Sequence, residues 1–304
     1  MKFSIMTEPH MGGTYDQLLA AALLAEAKNL VSFARCDHFL TKREPTPDAT
    51  DALATLAGLA RDTSTVRLCV LVTPITFRHP AVIAKNAATI DQMSGGRFDL
   101  GVGTGWMDFE HASLGISFPG SSERWARFEE ALDYLAAAFG PGRSSFEGQY
   151  YRIDAEVYPK PAGLRLVIGG GGMNRTPRLA GSRADEYNFF TCSPNEAKAK
   201  IEVMREAAGD RRVEATVMGP AVVGATEADY RRRLDAFAAR FGGGMSPDEV
   251  EKEWEGSGEI FGVPEQAAER VAALEAAGVE RIYLQWLDLA DYDGLAETVE
   301  LVCG

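Results

Sequence analysis

The chain has 304 residues, 46% hydrophobic and 25% charged, a balance that lets it bury its own core without disulfide staples. Its net charge of −13 leaves no basic face for nucleic acid or an anionic membrane, and no apolar run approaches the ~20 residues of a membrane span. The four cysteines (Cys36, Cys69, Cys192 and Cys303) form no CxxC pair and have no zinc-like spacing with the four histidines, so buried free thiols in a cytoplasmic protein without a leader peptide are expected.

Residues 2–6 are short and apolar ahead of Gly12-Gly13 and read as a buried strand. Residues 14–28 carry Leu18, Leu19, Ala22, Leu23 and Ala27 at helical spacing, with Thr14 or Asp16 as the N-cap. A second strand over 30–34 ends at Arg35-Cys36-Asp37-His38, and a proline-rich loop with Pro45 and Pro47 leads to a helix over 51–61. The apolar run 66–72 predicts a third strand. His79-Pro80 then opens a helix reaching about 93, with proline in the first turn, where no amide proton is needed. A strand over 98–102 runs into Gly101-Val102-Gly103-Thr104-Gly105, and 121–139 is an amphipathic helix with Trp125, Phe128, Leu132 and Leu135 on one side. Residues 144–153, centred on Gly148, read as an inserted hairpin.

The next strand, over 164–168, leads into Gly169-Gly170-Gly171-Gly172. A helix over 176–182, a strand over 186–190, a helix over 194–208, a strand over 213–223 and a helix over 227–241 follow. Residues 242–258 are rich in Gly and Glu and read as a mobile insertion, before a helix over 264–276, a strand over 281–285 and a helix over 291–302. About eight strands alternating with helices favour right-handed crossovers and a parallel sheet, and eight such units close as a barrel. The expectation is one (β/α)₈ domain over residues 1–304, with insertions in its strand-to-helix loops. A doubly wound open sheet is the rival, but Thr7-Glu8-Pro9-His10-Met11-Gly12-Gly13 after the first strand is not GxGxxG.

In such a barrel the loops after the strands share one face, where chemistry is found. The second loop holds Asp37-His38, either a proton-handling pair or a turn cap beside a surface histidine. The third, Leu71-Val72-Thr73-Pro74, reads either as a backbone ledge for a flat ring or as a simple strand end. In the fourth, Gly103-Thr104-Gly105-Trp106 admits a ligand close to the backbone, and Glu110-His111 offers another acid–base pair. In the fifth, Gly170, Gly171 and Gly172 precede a helix N-terminus. Their amide groups make a phosphate nest to which Arg175 or Arg178 adds charge. Together these loops describe a planar, phosphorylated cofactor; no HxxE or HExxH pattern suggests a metal and no GxSxG suggests acyl transfer.

At these residues the sequence resembles the bacterial luciferase-like flavin-dependent oxidoreductases, and most nearly their branch that uses the deazaflavin coenzyme F420. The resemblance is carried by Ala34-Arg35-Cys36-Asp37-His38, by the stretches 73–82, 94–106 and 168–172, and by the late segment 264–270. It implies a TIM barrel with the cofactor ring across its C-terminal mouth. A non-prolyl cis peptide near Leu71-Val72 would support the ring, and the phosphate would lie on Gly170 to Gly172. His38 would be the proton donor or acceptor, oriented by Asp37. The chain departs from the branch's sugar-phosphate dehydrogenases, which carry Glu where Trp106 stands, and it has the bulky Arg35 and Cys36 where small or aliphatic residues are usual. The substrate implied is therefore a small apolar molecule in a pocket lined by Trp106, Phe109 and Phe77 and shaped by the loops 107–122 and 242–258. Hydride passes between it and F420. The alternative is an FMN-dependent monooxygenase using O₂ and reduced flavin from a partner reductase. A homodimer is implied in either case.

Overall fold

Two alternating patterns, period two and period 3.6, become two concentric layers. The computed structural model describes residues 1–42 and 46–304, so Pro45 of the expected proline-rich loop lies outside the described residues. In chain order the elements are β1 (Lys2–Thr7), a 3₁₀ turn (Pro9–Met11), α1 (Tyr15–Ala27), β2 (Ser32–Arg35), α2 (Ala52–Asp62), β3 (Arg67–Pro74), α3 (Pro80–Ser94) and β4 (Phe98–Gly103). Then come α4 (Asp108–Leu114), α5 (Ser121–Phe139), β5 (Ser144–Glu147), β6 (Arg152–Ala155), β7 (Arg165–Gly169), α6 (Arg175–Arg183), β8 (Glu186–Phe190) and α7 (Pro194–Ala208). The chain closes with β9 (Glu214–Val223), α8 (Glu227–Phe241), α9 (Pro247–Trp254), β10 (Ile260–Gly262), α10 (Pro264–Ala276), β11 (Arg281–Trp286) and α11 (Tyr292–Cys303).

Eight of the strands form a closed parallel barrel in the order β1-β2-β3-β4-β7-β8-β9-β11, with β11 pairing back onto β1. This is the expected (β/α)₈ architecture. The β5–β6 pair is the antiparallel hairpin anticipated around Gly148, and β10 pairs only with the last residues of β9. No helix among the described residues is long and apolar enough to cross a membrane.

Strand alternation sorts the side chains. Ile5, Phe33, Leu68, Leu100 and Ile168 point outward into the main core beneath the helices, each aliphatic chain contributing roughly 1.5–3 kcal/mol by burial. Their neighbours Met6, Ala34, Cys69, Val167 and Tyr283 form a separate apolar cluster inside the barrel. At the N-terminal end the inward residues are charged. Arg281 pairs with Glu186 and lies 3.3 Å from Glu214, Arg165 reaches Glu214 at 2.9 Å, and Arg67 reaches Asp99 at 2.6 Å.

Two local signals explain particular elements. Thr14, one of the two expected N-caps, forms a capping box with Gln17 that starts α1. The stretch 242–258, expected to be a mobile insertion, instead contains α9. Ser246 and Glu249 form a second capping box, and Trp254 packs on Phe237 of α8 with ring centroids 4.9 Å apart. Glycine abundance masked a start signal written in Ser246-Pro247-Asp248-Glu249.

Candidate active site

The C-terminal ends of the strands surround a cavity of about 590 Å³. The loop after β2 contributes His38, the end of β3 and its loop Pro74 and Phe77, the loop after β4 Thr104 to Met107, and that after β7 Gly170 to Gly172. Most of the wall is apolar. Among the described residues no lysine or arginine lines it, while Glu8, His10, Cys36, His38, Glu110 and His111 do.

His38 Nδ1 lies 3.0 Å from Glu110 Oε2. Glu110 comes from the short helix α4 and is fully buried; its other oxygen accepts from the amides of Phe39 and Leu40, the latter at 2.8 Å. One carboxylate therefore pins both the imidazole and the loop that carries it. Burial disfavours charge on either group, yet the pairing prevails. His38 is held above its ordinary pKa by the Glu110 hydrogen bond and the nearby carboxylates, and Glu110 below its own by His38 and the loop amides. With Nδ1 committed to Glu110, Nε2 is the nitrogen left for a ligand. Trp106, 66% exposed, sets its edge against the His38 ring, centroids 5.6 Å apart.

Asp37 does not orient His38. Its carboxylate is taken by Arg78, which also reaches Asp51 at 2.6 Å and Thr73 Oγ1 at 3.3 Å. A fixed guanidinium fork outcompetes a ring that would have to turn back on its own neighbour. The same contact holds Thr73 fully buried behind the wall instead of on it. Glu110 and His111 likewise do not pair, because adjacent helical positions diverge. His111 contacts Thr76 Oγ1 through Nε2 and the Met107 carbonyl through Nδ1, both at 2.7 Å. Phe109, expected in the wall with Trp106 and Phe77, is exposed outside it. Nor do the residues of 242–258 line the cavity, whereas Met107, Glu110 and His111 of the loop 107–122 do.

The expected ledge is present. β3 shifts register against β4 between Val70 and Thr73, and the Leu71–Val72 peptide inside that bulge is cis, where the resemblance placed such a bond. Val72 needs bare backbone opposite it: a Cβ on Gly103 or Gly169 would stand 3.0 or 2.7 Å from its methyl groups. Both glycines thus have a packing reason beside any ligand role.

The glycine run after β7 is tied down at both ends and open in the middle. Gly170 N donates to the Asn188 carbonyl at 3.0 Å, and the Tyr187 hydroxyl contacts the carbonyls of Gly170 and Gly172. A Cβ on Gly171 would meet nothing within 4 Å. Just beyond it α6 begins at Arg175, and its N-cap Asn174 makes no side-chain cap, so its first amides are available to an anion. Arg175, expected to add charge to this nest, is engaged elsewhere. It is about half exposed, bonds Glu129 at 2.9 Å and lies over the Trp125 ring, while Arg178 pairs with Glu206.

Among the wall residues without a role in the sequence reading are the ionisable Glu8 and His10 from the loop after β1, and Cys36 just after β2. An acid and a histidine just after a barrel strand was the available signal.

The luciferase-like monooxygenase family model matches residues 1–281. An F420-dependent glucose-6-phosphate dehydrogenase of Kineococcus radiotolerans is 37% identical over 169 residues, 55% of this chain and 50% of the relative; the chain spans about half the length of such dehydrogenases. An FMNH₂-dependent dimethylsulfone monooxygenase of Pseudomonas fluorescens is 28% identical over 278 residues, 80% of this chain and 76% of the relative. Among solved structures, a monooxygenase from Streptomyces bottropensis superposes with a TM-score of 0.85 at 19% identity, covering 99% of this chain and 97% of the other. The coenzyme F420 dependent tetrahydromethanopterin reductase from Methanopyrus kandleri gives 0.75 at 19% identity, covering 99% and 96%. At these identities the structural likeness speaks for the fold alone.

Proposed function

Because the chain belongs to the luciferase-like monooxygenase family, we propose that it is an oxidoreductase working with a bound flavin or deazaflavin. We propose further that the cofactor is coenzyme F420 and the substrate a small apolar organic molecule. The carrying observation is the His38–Glu110 pair opening onto an apolar cavity beside the Leu71–Val72 ledge. Relatives named for F420 and for FMNH₂ both support a tricyclic cofactor.

The residues fit such a group. Leu71, Val72 and Gly103 offer a flat wall, Thr104, Gly105 and Trp106 flank it, and the open position at Gly171 with Gly170 and Gly172 would take the phosphate. When bound, a deazaflavin supplies hydride transfer. The chain supplies the rest. His38 gives or takes the accompanying proton at Nε2, Glu110 fixes the ring and stabilises its charged form, and the apolar wall keeps water from the reacting atoms. Asp37 ties the loop bearing His38 to Arg78 of the loop after β3 and takes no part in the proton step. A wall without lysine or arginine among the described residues supports a substrate lacking phosphate.

The second reading is an FMN-dependent monooxygenase supplied with reduced flavin by a partner reductase. It is favoured by the dimethylsulfone monooxygenase relative, whose match extends over 80% of this chain. The protein would act as a homodimer in either case. Fluorescence titration of the purified chain with F420 and with FMN separates the two. Tighter binding of F420, unchanged in His38→Ala, is expected; tighter binding of FMN favours the second reading, and binding of neither overturns both.

A further inference from the structure

Three potential metal ligands meet in the cavity wall; of them only Glu8 enters the chemistry above, as one of the carboxylates that raise the His38 pKa. Glu8, His10 and Cys36 place their donor atoms within 4.8 Å of one another. His10 Nδ1 is 3.2 Å from Cys36 Sγ and 3.3 Å from Glu8 Oε2. All three residues are under 10% exposed, and Gln285 Nε2 donates at 2.8 Å to the other oxygen of Glu8, aiming the carboxylate.

A single ring nitrogen carries either one proton or one lone pair, so Nδ1 bonds the carboxylate or the thiol, and Cys36 also reaches Glu8. A cation between them contacts all three donors at once. Ligand bonds of about 2.0–2.3 Å in a tetrahedral shell put neighbouring N, O and S atoms roughly 3.3–3.6 Å apart, close to the two spacings from His10 Nδ1. A thiolate and an imidazole select zinc and its neighbours over magnesium or calcium.

We propose that Glu8, His10 and Cys36 form a three-ligand site for one divalent ion of the zinc class, its fourth position facing the cavity. Three protein ligands with one open position is the form of a reactive zinc site, not of a structural one. On binding, the Cys36 S–H bond breaks, an S–metal bond forms and the proton leaves to solvent, with no change of oxidation state. The site stands apart from the cofactor reading, since it rests only on these ligands.

The test uses Co²⁺ as a spectroscopic stand-in, titrated into the full chain after treatment with chelator. One Co²⁺ per chain is expected, with a near-ultraviolet thiolate-to-cobalt band and the strong visible bands of four-coordinate cobalt, all displaced by Zn²⁺. Cys36→Ser should lose the near-ultraviolet band, and Glu8→Gln should weaken binding about tenfold or more. Circular dichroism of each metal-free variant checks that it folds, and Glu8→Gln carries the test should Cys36→Ser not. Absence of stoichiometric binding, or a spectrum without the thiolate band in the unsubstituted chain, overturns the proposal.

Discussion

At the N-terminal end of the barrel, Arg281, Glu186, Glu214 and Arg165 fill the interior with paired charge. At the C-terminal end the inward strand positions carry Gly103, Gly169, Met218 and Gln285 and leave a cavity. The two ends differ in what their charges face. In the first, Tyr283 and Thr216 donate to Glu186 at 2.9 and 2.8 Å, so the carboxylate is spent on internal partners. In the second, His38 and Glu110 pair with each other and still border open space. Charge buried among partners holds the barrel closed; charge buried beside a cavity can act on what enters it.

The strongest way to break this comparison is Arg281→Met. It strips the cation from Glu186 and Glu214 in a fully buried setting, and a loss of about 3–5 kcal/mol in denaturant unfolding is expected. A loss below about 1 kcal/mol would mean that the closed end is not held by these charges.

His38→Gln probes the open end and should cost about 1.5–3 kcal/mol at its maximum. The pH dependence has a defined sign. His38 has a raised pKa, so its share is complete below about 6.5 and is lost as pH rises through the folded value. Glu110 has a lowered one, so its share is complete above about 4.3 and is lost as pH falls through the folded value. The stability difference between the unsubstituted chain and His38→Gln should therefore peak between roughly pH 4.5 and 6.5 and shrink on both sides. A flat difference across pH would disprove the charged pair.

Gly171→Val is the next largest effect and separates fold from ligand. Its Cβ meets nothing, so stability should change by no more than ~0.5 kcal/mol, while affinity for the bound cofactor should fall about tenfold or more. Smallest is Arg175→Ala. A surface pair with Glu129 predicts at most about 1 kcal/mol in stability and no loss of cofactor affinity beyond that of the unsubstituted chain's scatter. A large affinity loss would restore Arg175 to the phosphate nest.

The architecture was legible because strand and helix periods alternate cleanly, and Val72, Gly103 and Gly171, at or just past strand ends, could be placed on one rim from the barrel rule alone. Pairings across loops were not. Asp37 and His38 are adjacent in sequence, yet each takes a distant partner, Arg78 and Glu110, selected by packing that no local pattern encodes. Arg175 follows the glycine run but turns to Glu129 and Trp125 on α5. The charged end was silent for the same reason, since Asp99, Glu186 and Arg281 sit singly in otherwise apolar strands and meet only when the barrel closes.

The most direct measurement is a crystal structure of the chain grown with coenzyme F420, and in parallel with FMN. The account predicts the ring against Leu71 and Val72, its reactive edge within reach of His38 Nε2, and its phosphate at Gly170 to Gly172. A ring bound away from His38, or a phosphate held by any other loop, would contradict it.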